Sequence, residues 1–332
     1  MPGDRQGRPD VMCVGETMVM LTPVEPAPLV DRPRLTMEVG GAESNVACGM
    51  AQLGHHAAWL SRLGADPFGQ IILRTLTVHG VDVGDVEIDP ARPTGLYLKD
   101  PGIERSTVHY YRKGSAAAAM GPAFAEVIRG RGARLVHLSG ITPVLSPGCA
   151  ALVERLLSGP RAPGGPLLSF DVNYRPALWE PARAGATLLP LARRADVVFA
   201  GRDEAETLWG AAAPDDIRAL LPDVPCLVVK DAEHGATCYE GDERTFVPAL
   251  RIDVVEPVGA GDAFAAGFLS GLLAGRPARD RLRLGHITAA AALCCMGDLA
   301  AFPPAATRDR LLAAADEVWP SLSLSAAPAA AD

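Results

Sequence analysis

The sequence predicts an α/β fold in which a doubly wound, mostly parallel sheet carries helices on both faces. Short apolar runs alternate with helical stretches over most of the 332 residues, which is the pattern of a parallel sheet covered by helices. The runs are continuously apolar, as expected for strands that are buried on both faces. Two stretches, about 18–39 and 94–113, break the alternation and resemble β excursions. We expect them to pair into a small β-sheet lid over one end of the main sheet.

The individual elements follow in a regular order along the chain. The run VMCVGE at residues 11–16 is the first buried strand, SNVACGMAQLG is a helix, AAWLSRLG is a strand, and Asp66 and Pro67 begin the next helix. Later strands are RLVHLSG, LLSFDVN, DVVFAG and PCLVVKD, and CYEGDERTFVPA is a small hairpin. Helices at 260–273 and 284–296 follow. We therefore expect one domain over residues 11–303, with 1–9 and 321–332 as disordered tails.

Composition excludes several classes of protein. The formal net charge is −8 and no Lys/Arg-rich run is present, which argues against a nucleic-acid binder, because such proteins bind mainly by neutralising phosphates. No apolar stretch is long enough to span a bilayer, and the first residues lack the apolar core of a signal peptide. The seven scattered cysteines contain no C-x-x-C and fit reduced, buried thiols. We expect a cytoplasmic protein with no nucleic-acid or membrane partner.

The stretch EPVGAGDAF, which begins at Glu256, is the first candidate for chemistry. Gly259, Ala260 and Gly261 allow a close backbone approach at the start of a helix, where N–H groups and the helix dipole favour an anion. If that anion is a phosphoryl group in transfer, Asp262 can accept the proton of the attacking hydroxyl. The alternative is a plain glycine turn followed by a helix-starting aspartate. The stretch is neither a dinucleotide fingerprint nor a P-loop, and by itself it leaves both interpretations open.

A second glycine pair lies at the start of GGAESNVACG, residues 40–49, and leads into a helix and then a strand. Together with VGAGDAF, it resembles the two signature stretches of the ribokinase-type (PfkB-type) carbohydrate kinases, and the resemblance covers nearly all of residues 11–303. It implies a ribokinase-like fold with a β lid. It also implies that Gly40, Gly41 and Asn45 contact the sugar, that Gly259–Gly261 hold the phosphoryl group, and that Asp262 is the general base. The alternative for the glycine pair is a simple turn, with Asn45 as a helix-start residue.

Several further stretches resemble the 2-keto-3-deoxygluconate kinases of that family. They are GETMVML, GGAESN, TGLY, HYYRKGSA and DVNYRPALW. The resemblance implies a sugar-acid substrate that is phosphorylated on its terminal hydroxyl, and arginine binds a carboxylate through two parallel hydrogen bonds. The substrate contacts that we expect are Tyr97, Tyr110, Arg112 and Arg175. The alternatives are tyrosines that only pack the lid and arginines that only lie on the surface, or a kinase for fructose, ribose or 2-keto-3-deoxygalactonate, or a non-catalytic sugar-binding regulator.

The nucleotide side of the resemblance is less complete. It implies ATP and Mg²⁺ as cofactors, and it places Lys230, Gly235 and Thr288 at the nucleotide. Ala232 stands where the family's turn often has glycine.

Two glutamates are candidate metal contacts. In GRDE the family's asparagine is replaced by Gly201, and Glu204 either orders magnesium through water or merely begins a helix. Glu256 replaces an aspartate that in some relatives helps to hold a monovalent cation, so that a K⁺ ion is a further expectation there. Asp171 and Asn173 lie near the expected phosphoryl path or cap a strand end. Because a β lid exposes apolar strand edges, we also expect a homo-oligomer formed through the lid.

Overall fold

The computed structural model describes residues 7–25, 27–100, 107–159, 164–256, 258–295, 297 and 299–324. The strands of this part of the chain are β1 (Val11–Val14), β2 (Met18–Pro23), β3 (Leu35–Gly40), β4 (Ala57–Leu60), β5 (Arg62–Gly64), β6 (Glu87–Asp89), β7 (Leu96–Asp100), β8 (Thr107–Tyr111), β9 (Leu135–Ser139), β10 (Leu167–Asp171), β11 (Val197–Gly201), β12 (Cys226–Asp231), β13 (Gly235–Glu240) and β14 (Glu243–Val247). The α-helices are α1 (Ala42–Gln52), α2 (Pro67–Val78), α3 (Phe124–Arg131), α4 (Thr142–Leu145), α5 (Pro147–Ser158), α6 (Pro181–Ala192), α7 (Arg202–Trp209), α8 (Pro214–Leu220), α9 (Ala260–Leu273), α10 (Ala278–Leu293) and α11 (Ala305–Leu312).

The central sheet confirms the predicted fold class. Its strand order is β14-β13-β12-β11-β10-β9-β1-β4. The strands from β12 to β4 are parallel, and β13 and β14 add an antiparallel hairpin at one edge. Helices cover both faces of the sheet. Because successive side chains of a strand point to opposite sides, each strand contributes to the cores on both faces. In β1, Met12 and Val14 join the core under α3, α5, α6, α7 and α8. Val11 and Cys13 join the core under α1, α2, α9, α10 and α11.

The predicted lid is a separate four-stranded sheet with the order β3-β2-β7-β8. Strand β2 pairs with β3 and β7 with β8 in antiparallel fashion, and the parallel β2–β7 pair joins the two halves. Residues 18–39 contain β2 and β3, and β3 is an edge strand of this sheet. The turn expected between β7 and β8 lies largely outside the described residues. The stretch AAWLSRLG, expected to be one strand, divides at Ser61, because β5 leaves the central sheet and pairs with β6.

The parallel strands place polar groups together at their carboxyl edge, where ligands bind in open α/β sheets. Glu16 follows β1, Ser139 ends β9, Asp171 ends β10, Gly201 ends β11 and Lys230 lies near the end of β12.

The domain extends further than residues 11–303. Helix α11 lies beyond that boundary, and its Leu311 and Leu312 are buried with Trp319 in one of the two cores. The Arg283 guanidinium of α10 holds this segment, since it lies 4.5 Å from the Trp319 ring centroid and 2.7 Å from Asp316. At the other end, Arg8 donates a 2.7 Å hydrogen bond to the Ala133 carbonyl, so residue 8 already contacts the domain. Within the described ranges, no helix combines the length and apolar character that a membrane span requires.

Candidate active site

The glycine turn before α9 has the geometry that an anion site needs. Gly259 adopts φ = 82° and directly precedes Ala260, the first residue of the helix. This left-handed conformation is readily available only to glycine. The first N–H groups of a helix have no partner inside the helix and carry positive potential. The N–H groups at this helix start can therefore serve as donors to an anion.

Asp262 occupies the first turn of this helix and is held by Asn45. The Asn45 Nδ2 donates a 2.9 Å hydrogen bond to Asp262 Oδ2, although the two residues are 217 positions apart. The Gly41 N–H lies 3.5 Å from Asn45 Oδ1 and fixes the other end of the amide. The structure therefore brings the glycine-pair motif and the GAGD motif together. It also gives Asn45 a partner that the sequence did not suggest, because Asn45 was expected to contact the sugar.

Close helix packing produces this arrangement. A Cβ on Gly49 would lie only 2.7 Å from the Ala266 Cβ, so glycine lets α1 and α9 approach closely. A Cβ on Gly41 would lie 2.5 Å from the Glu16 carbonyl oxygen. Gly40 ends β3 opposite Met18 of β2. The glycine pair is thus packed against the segment that connects the central sheet to the lid.

Lys230 places a positive charge beside the anion site. Its Nζ lies 2.8 Å from Asp171 Oδ2 and 3.2 Å from Oδ1, and 3.5 Å from the position that a Cβ on Gly261 would take. Burial would lower the pKa of Lys230, but the charges of Asp171 and Glu204 outweigh this effect and raise it. Lys230 therefore stays protonated at neutral pH. Asp171, for which the sequence left a capping role open, is its ion-pair partner, and Asn173 follows in a left-handed conformation with φ = 41°.

Glu204 closes the first turn of α7 at the same edge of the sheet. Its Oε2 accepts the Gly201 N–H at 2.8 Å and its Oε1 accepts the Tyr174 N–H at 3.0 Å. Burial raises the pKa of the Glu204 carboxyl, and the Lys230 charge opposes that rise. The helix-starting role is therefore present. Each carboxylate oxygen still has a second lone pair, which can accept a hydrogen bond from a metal-bound water.

The turn after β12 contains one glycine that the backbone requires and one alanine in a strained conformation. Gly235 has φ = 138°, and a Cβ there would lie 2.3 Å from the Val247 carbonyl oxygen. Ala232 has φ = 42°, a left-handed conformation that explains why glycine would suit this position.

Thr288 is not brought to this site. It is fully buried in α10, and its hydroxyl donates to the carbonyl of Ala263 in α9 at 2.7 Å. A Cβ on Gly267 would lie 2.3 Å from the Thr288 Oγ1. The Thr288 side chain thus packs two helices together, and its hydroxyl is engaged inside the protein.

The predicted substrate contacts fall into two places. Tyr97 and Tyr110 lie in the lid with ring centroids 5.8 Å apart. The Arg112 guanidinium carbon lies 5.6 Å from the Tyr110 ring centroid. Arg175 is exposed, on the loop that follows β10, and its charge opposes the rise that burial causes in the pKa of Glu204. The structure therefore groups three of the four with the lid and places Arg175 on the side of Glu204.

Glu256 forms an ion pair with a lysine of the lid. Lys99 of β7 places its Nζ 3.4 Å from Glu256 Oε2. The lid thus contacts the loop that leads to the anion site.

Two buried carboxylates at this edge were missed by sequence reasoning. The Glu43 Oε1 accepts hydrogen bonds of 2.7 Å from Ser139 and Thr142, and burial raises the pKa of Glu43. Glu16 pairs with Arg112. Both residues stand inside stretches that were singled out for the substrate. For Glu16, the available signal was an acidic residue shortly after the buried strand β1.

Known proteins that are similar to this chain point to one family. Residues 8–305 match the pfkB family carbohydrate kinases. The chain is 36% identical over 308 residues to the 2-dehydro-3-deoxygluconokinase of Bacillus subtilis (91% of this chain, 94% of that protein) and 34% identical over 312 residues to the 2-dehydro-3-deoxygalactonokinase of Haloferax volcanii (89% and 94%). A protein from E. coli named Ribokinase II, solved in complex with ATP and Mg²⁺, superposes with a TM-score of 0.80 at 21% identity, covering 91% of this chain and 98% of that one. The chain therefore belongs to the PfkB family of carbohydrate kinases.

Proposed function

We propose that this kinase transfers the γ-phosphate of ATP to the terminal hydroxyl of 2-keto-3-deoxygluconate. The observation that carries the proposal is the position of Asp262, behind Gly259 in the first turn of α9 and hydrogen-bonded to Asn45. A carboxylate beside a backbone anion site can take the proton of a hydroxyl that attacks a bound phosphoryl group. The similarity to a 2-dehydro-3-deoxygluconokinase over most of the chain supports the choice of sugar.

Each group at the anion site has a role in this reaction. Asp262 accepts the proton of the acceptor hydroxyl, and Asn45 orients its carboxylate. The backbone N–H groups of Gly259–Gly261 and the charge of Lys230 stabilise the negative charge that the phosphoryl oxygens carry during transfer. Gly235 shapes the turn on the nucleotide side.

The acidic groups at the carboxyl edge of the sheet fit a nucleotide-borne Mg²⁺. Magnesium prefers oxygen ligands and keeps several waters, and Glu204 has lone pairs for such waters beside Lys230 and Asp171. When bound, Mg²⁺ would neutralise charge on the phosphates. A K⁺ ion near Glu256 stays a prediction, and a titration of the rate with KCl against NaCl tests it.

A sugar acid needs a cationic partner for its carboxylate, and Arg112 and Arg175 are the candidates. Their tests are Arg112→Ala and Arg175→Ala. For a sugar acid we expect KM to rise about 10- to 100-fold, since hydrogen bonds to charged groups contribute about 1.5–3 kcal/mol. A KM within twofold of wild type in both variants would refute the arginine contacts. The galacto epimer is the nearest alternative substrate, because the Haloferax volcanii relative is named for it.

We also propose that two subunits pair through their lids. The outer strands β3 and β8 expose Met37 (58%) and Tyr111 (64%), and pairing across a two-fold axis would cover them. Light scattering should give at least a dimer at micromolar concentration. Met37→Glu with Tyr111→Glu should give a smaller species, and a monomeric wild type would contradict the proposal.

A further inference from the structure

Glu16 is a buried carboxylate whose two oxygens are both occupied. Its Oε2 receives Arg112 Nε at 2.7 Å and Arg112 Nη2 at 2.5 Å, and its Oε1 receives the Ser115 hydroxyl at 2.5 Å. The residue is only 3% exposed. It therefore does not itself reach an open binding surface, and its role acts through its partners.

Two glycines make room for the buried carboxylates. A Cβ on Gly95 would lie 2.8 Å from Glu16 Oε1 and 3.4 Å from Arg112 Cβ. A Cβ on Gly15 would lie 2.1 Å from the carboxyl carbon of Glu43. These glycines belong to GETMVML and TGLY, two of the stretches that distinguish the sequence. Their presence is explained by the space that Glu16, Glu43 and Arg112 need.

The Glu16–Arg112 ion pair also joins the lid to the glycine-pair motif. Glu16 lies between β1 of the central sheet and β2 of the lid, and its carbonyl oxygen packs against Gly41. Arg112 directly follows β8, the outer strand of the lid. The ion pair thus fixes the end of the lid hairpin beside the glycine pair.

The contacts with Glu16 take up one edge of the Arg112 guanidinium, and 10% of the Arg112 side chain is exposed. Glu16 engages the edge formed by Nε and Nη2. The edge formed by Nη1 and Nη2 has the parallel N–H groups that bind a carboxylate at two points. A fixed guanidinium loses less rotational freedom when it binds a ligand.

We propose that Glu16 is a positioning residue that sets the orientation of Arg112 and thereby the recognition of the substrate carboxylate. This inference rests on the proposed function, because it requires a sugar acid that contacts Arg112. Ser115 fixes Glu16 from the other side. Loss of Glu16 leaves the charge of Arg112 in place but frees its orientation, so that binding of the acid weakens while phosphoryl transfer is spared.

The test compares Glu16→Gln, Arg112→Ala and the double variant with wild type, using 2-keto-3-deoxygluconate and MgATP. We expect Glu16→Gln to raise KM for the sugar acid about tenfold, with kcat and the KM for ATP within twofold. The double variant should be no worse than Arg112→Ala, since both changes act on one contact. Glu87→Gln is the matched control, because Glu87 forms a similar but exposed pair with Arg62 at 2.6 Å, and it should leave both constants unchanged.

The outcomes separate this inference from the proposed function. If Arg112→Ala raises KM and Glu16→Gln does not, the positioning role of Glu16 is wrong and the substrate assignment stands. If wild type does not phosphorylate the sugar acid, both are wrong. A Glu16→Gln variant that lowers kcat and weakens ATP binding equally would show a merely structural role. If that variant fails to fold, Ser115→Ala, which removes one hydrogen bond from Glu16, should raise the same KM about threefold, and an unchanged KM would refute the inference.

Discussion

Replacement of Lys230 by methionine tests the charge balance at the anion site. Lys230 is the cation that contacts Asp171, and it lies beside Gly261. Methionine keeps an unbranched chain of similar reach and removes the charge. We expect kcat to fall about 100-fold, the lower end of the effect of removing one preorganised donor from a transition-state site. KM for the sugar should change little, because Lys230 faces the phosphoryl side.

The same substitution should cost stability. Asp171 is 3% exposed, and removal of one partner from a buried ion pair costs about 3–5 kcal/mol. The Lys230 side chain is 20% exposed, so we expect the lower end, about 3 kcal/mol. With an unfolding entropy of about 2.1 cal/mol/K per residue, a chain of this length should lose about 4–5 °C in Tm.

The loss of stability in Lys230→Met should depend on pH through the titration of Glu204. Burial already raises the pKa of Glu204, and the Lys230 charge opposes that rise, so the variant's Glu204 pKa should be higher still. A carboxyl with a raised folded-state pKa costs stability above its unfolded pKa, and protonation removes the cost as the pH falls. The Tm difference should therefore shrink between pH 7.5 and pH 5.

Turnover and thermal unfolding of Lys230→Met measure these effects. Arg194→Met, which removes an exposed ion pair with Glu154, is the control and should match wild type in rate and within about 1 °C in Tm, since exposed pairs contribute little. A Lys230→Met rate within twofold of wild type would refute the role of Lys230 at the phosphoryl group.

Three further predictions concern one hydrogen bond, one backbone angle and two buried histidines. Asn45→Ala removes the 2.9 Å bond to Asp262 and should lower kcat about tenfold while circular dichroism stays native; an unchanged kcat would argue against the orienting role. Ala232→Gly relieves the strain of a φ of 42°, which is about 1–2 kcal/mol. Glycine also adds unfolded-state entropy that costs about 0.4–1 kcal/mol, so the net effect should raise Tm by about 1 °C. A lower Tm would contradict the strain. Burial lowers the pKa of His137 and His286 to about 4, so the unfolded state binds more protons than the folded state between pH 6.5 and 4. Each histidine should therefore reduce the unfolding free energy by up to about 1.4 kcal/mol per pH unit as the pH falls through that window. Urea unfolding at pH 7 and 5.5 measures this change, and an unfolding free energy that is equal at both pH values would be inconsistent with buried neutral histidines.

The fold was predictable because its signals are local. Continuous apolar runs gave the strands of the parallel sheet, and the glycine turn before Ala260 located α9 with the bounds that the structure has. The relation between Asp262 and the glycine pair came from family resemblance, since nothing local in the sequence joins residues 217 positions apart.

The remaining features depend on three-dimensional partners. Periodicity placed Thr288 on a helix but not the face that packs on α9. The Glu16–Arg112 pair joins residues 96 positions apart, and the Lys99–Glu256 pair joins residues 157 positions apart. Local sequence patterns do not predict ion pairs between residues so far apart in the chain. The segment after residue 303 was missed because its helix is short, and the burial of Leu311, Leu312 and Trp319 shows that it completes the core.

Phosphoryl transfer to a sugar acid, with Asp262 as the base, is open to a direct measurement. The most direct test is ADP release from MgATP with 2-keto-3-deoxygluconate, its galacto epimer, fructose, ribose or no sugar as acceptor, each repeated with Asp262→Asn. We expect turnover on the keto-deoxy acids, little turnover on the neutral sugars, and a loss of nearly all turnover in an Asp262→Asn variant that folds and still binds. Wild-type rates in Asp262→Asn, or turnover confined to a neutral sugar, would contradict it.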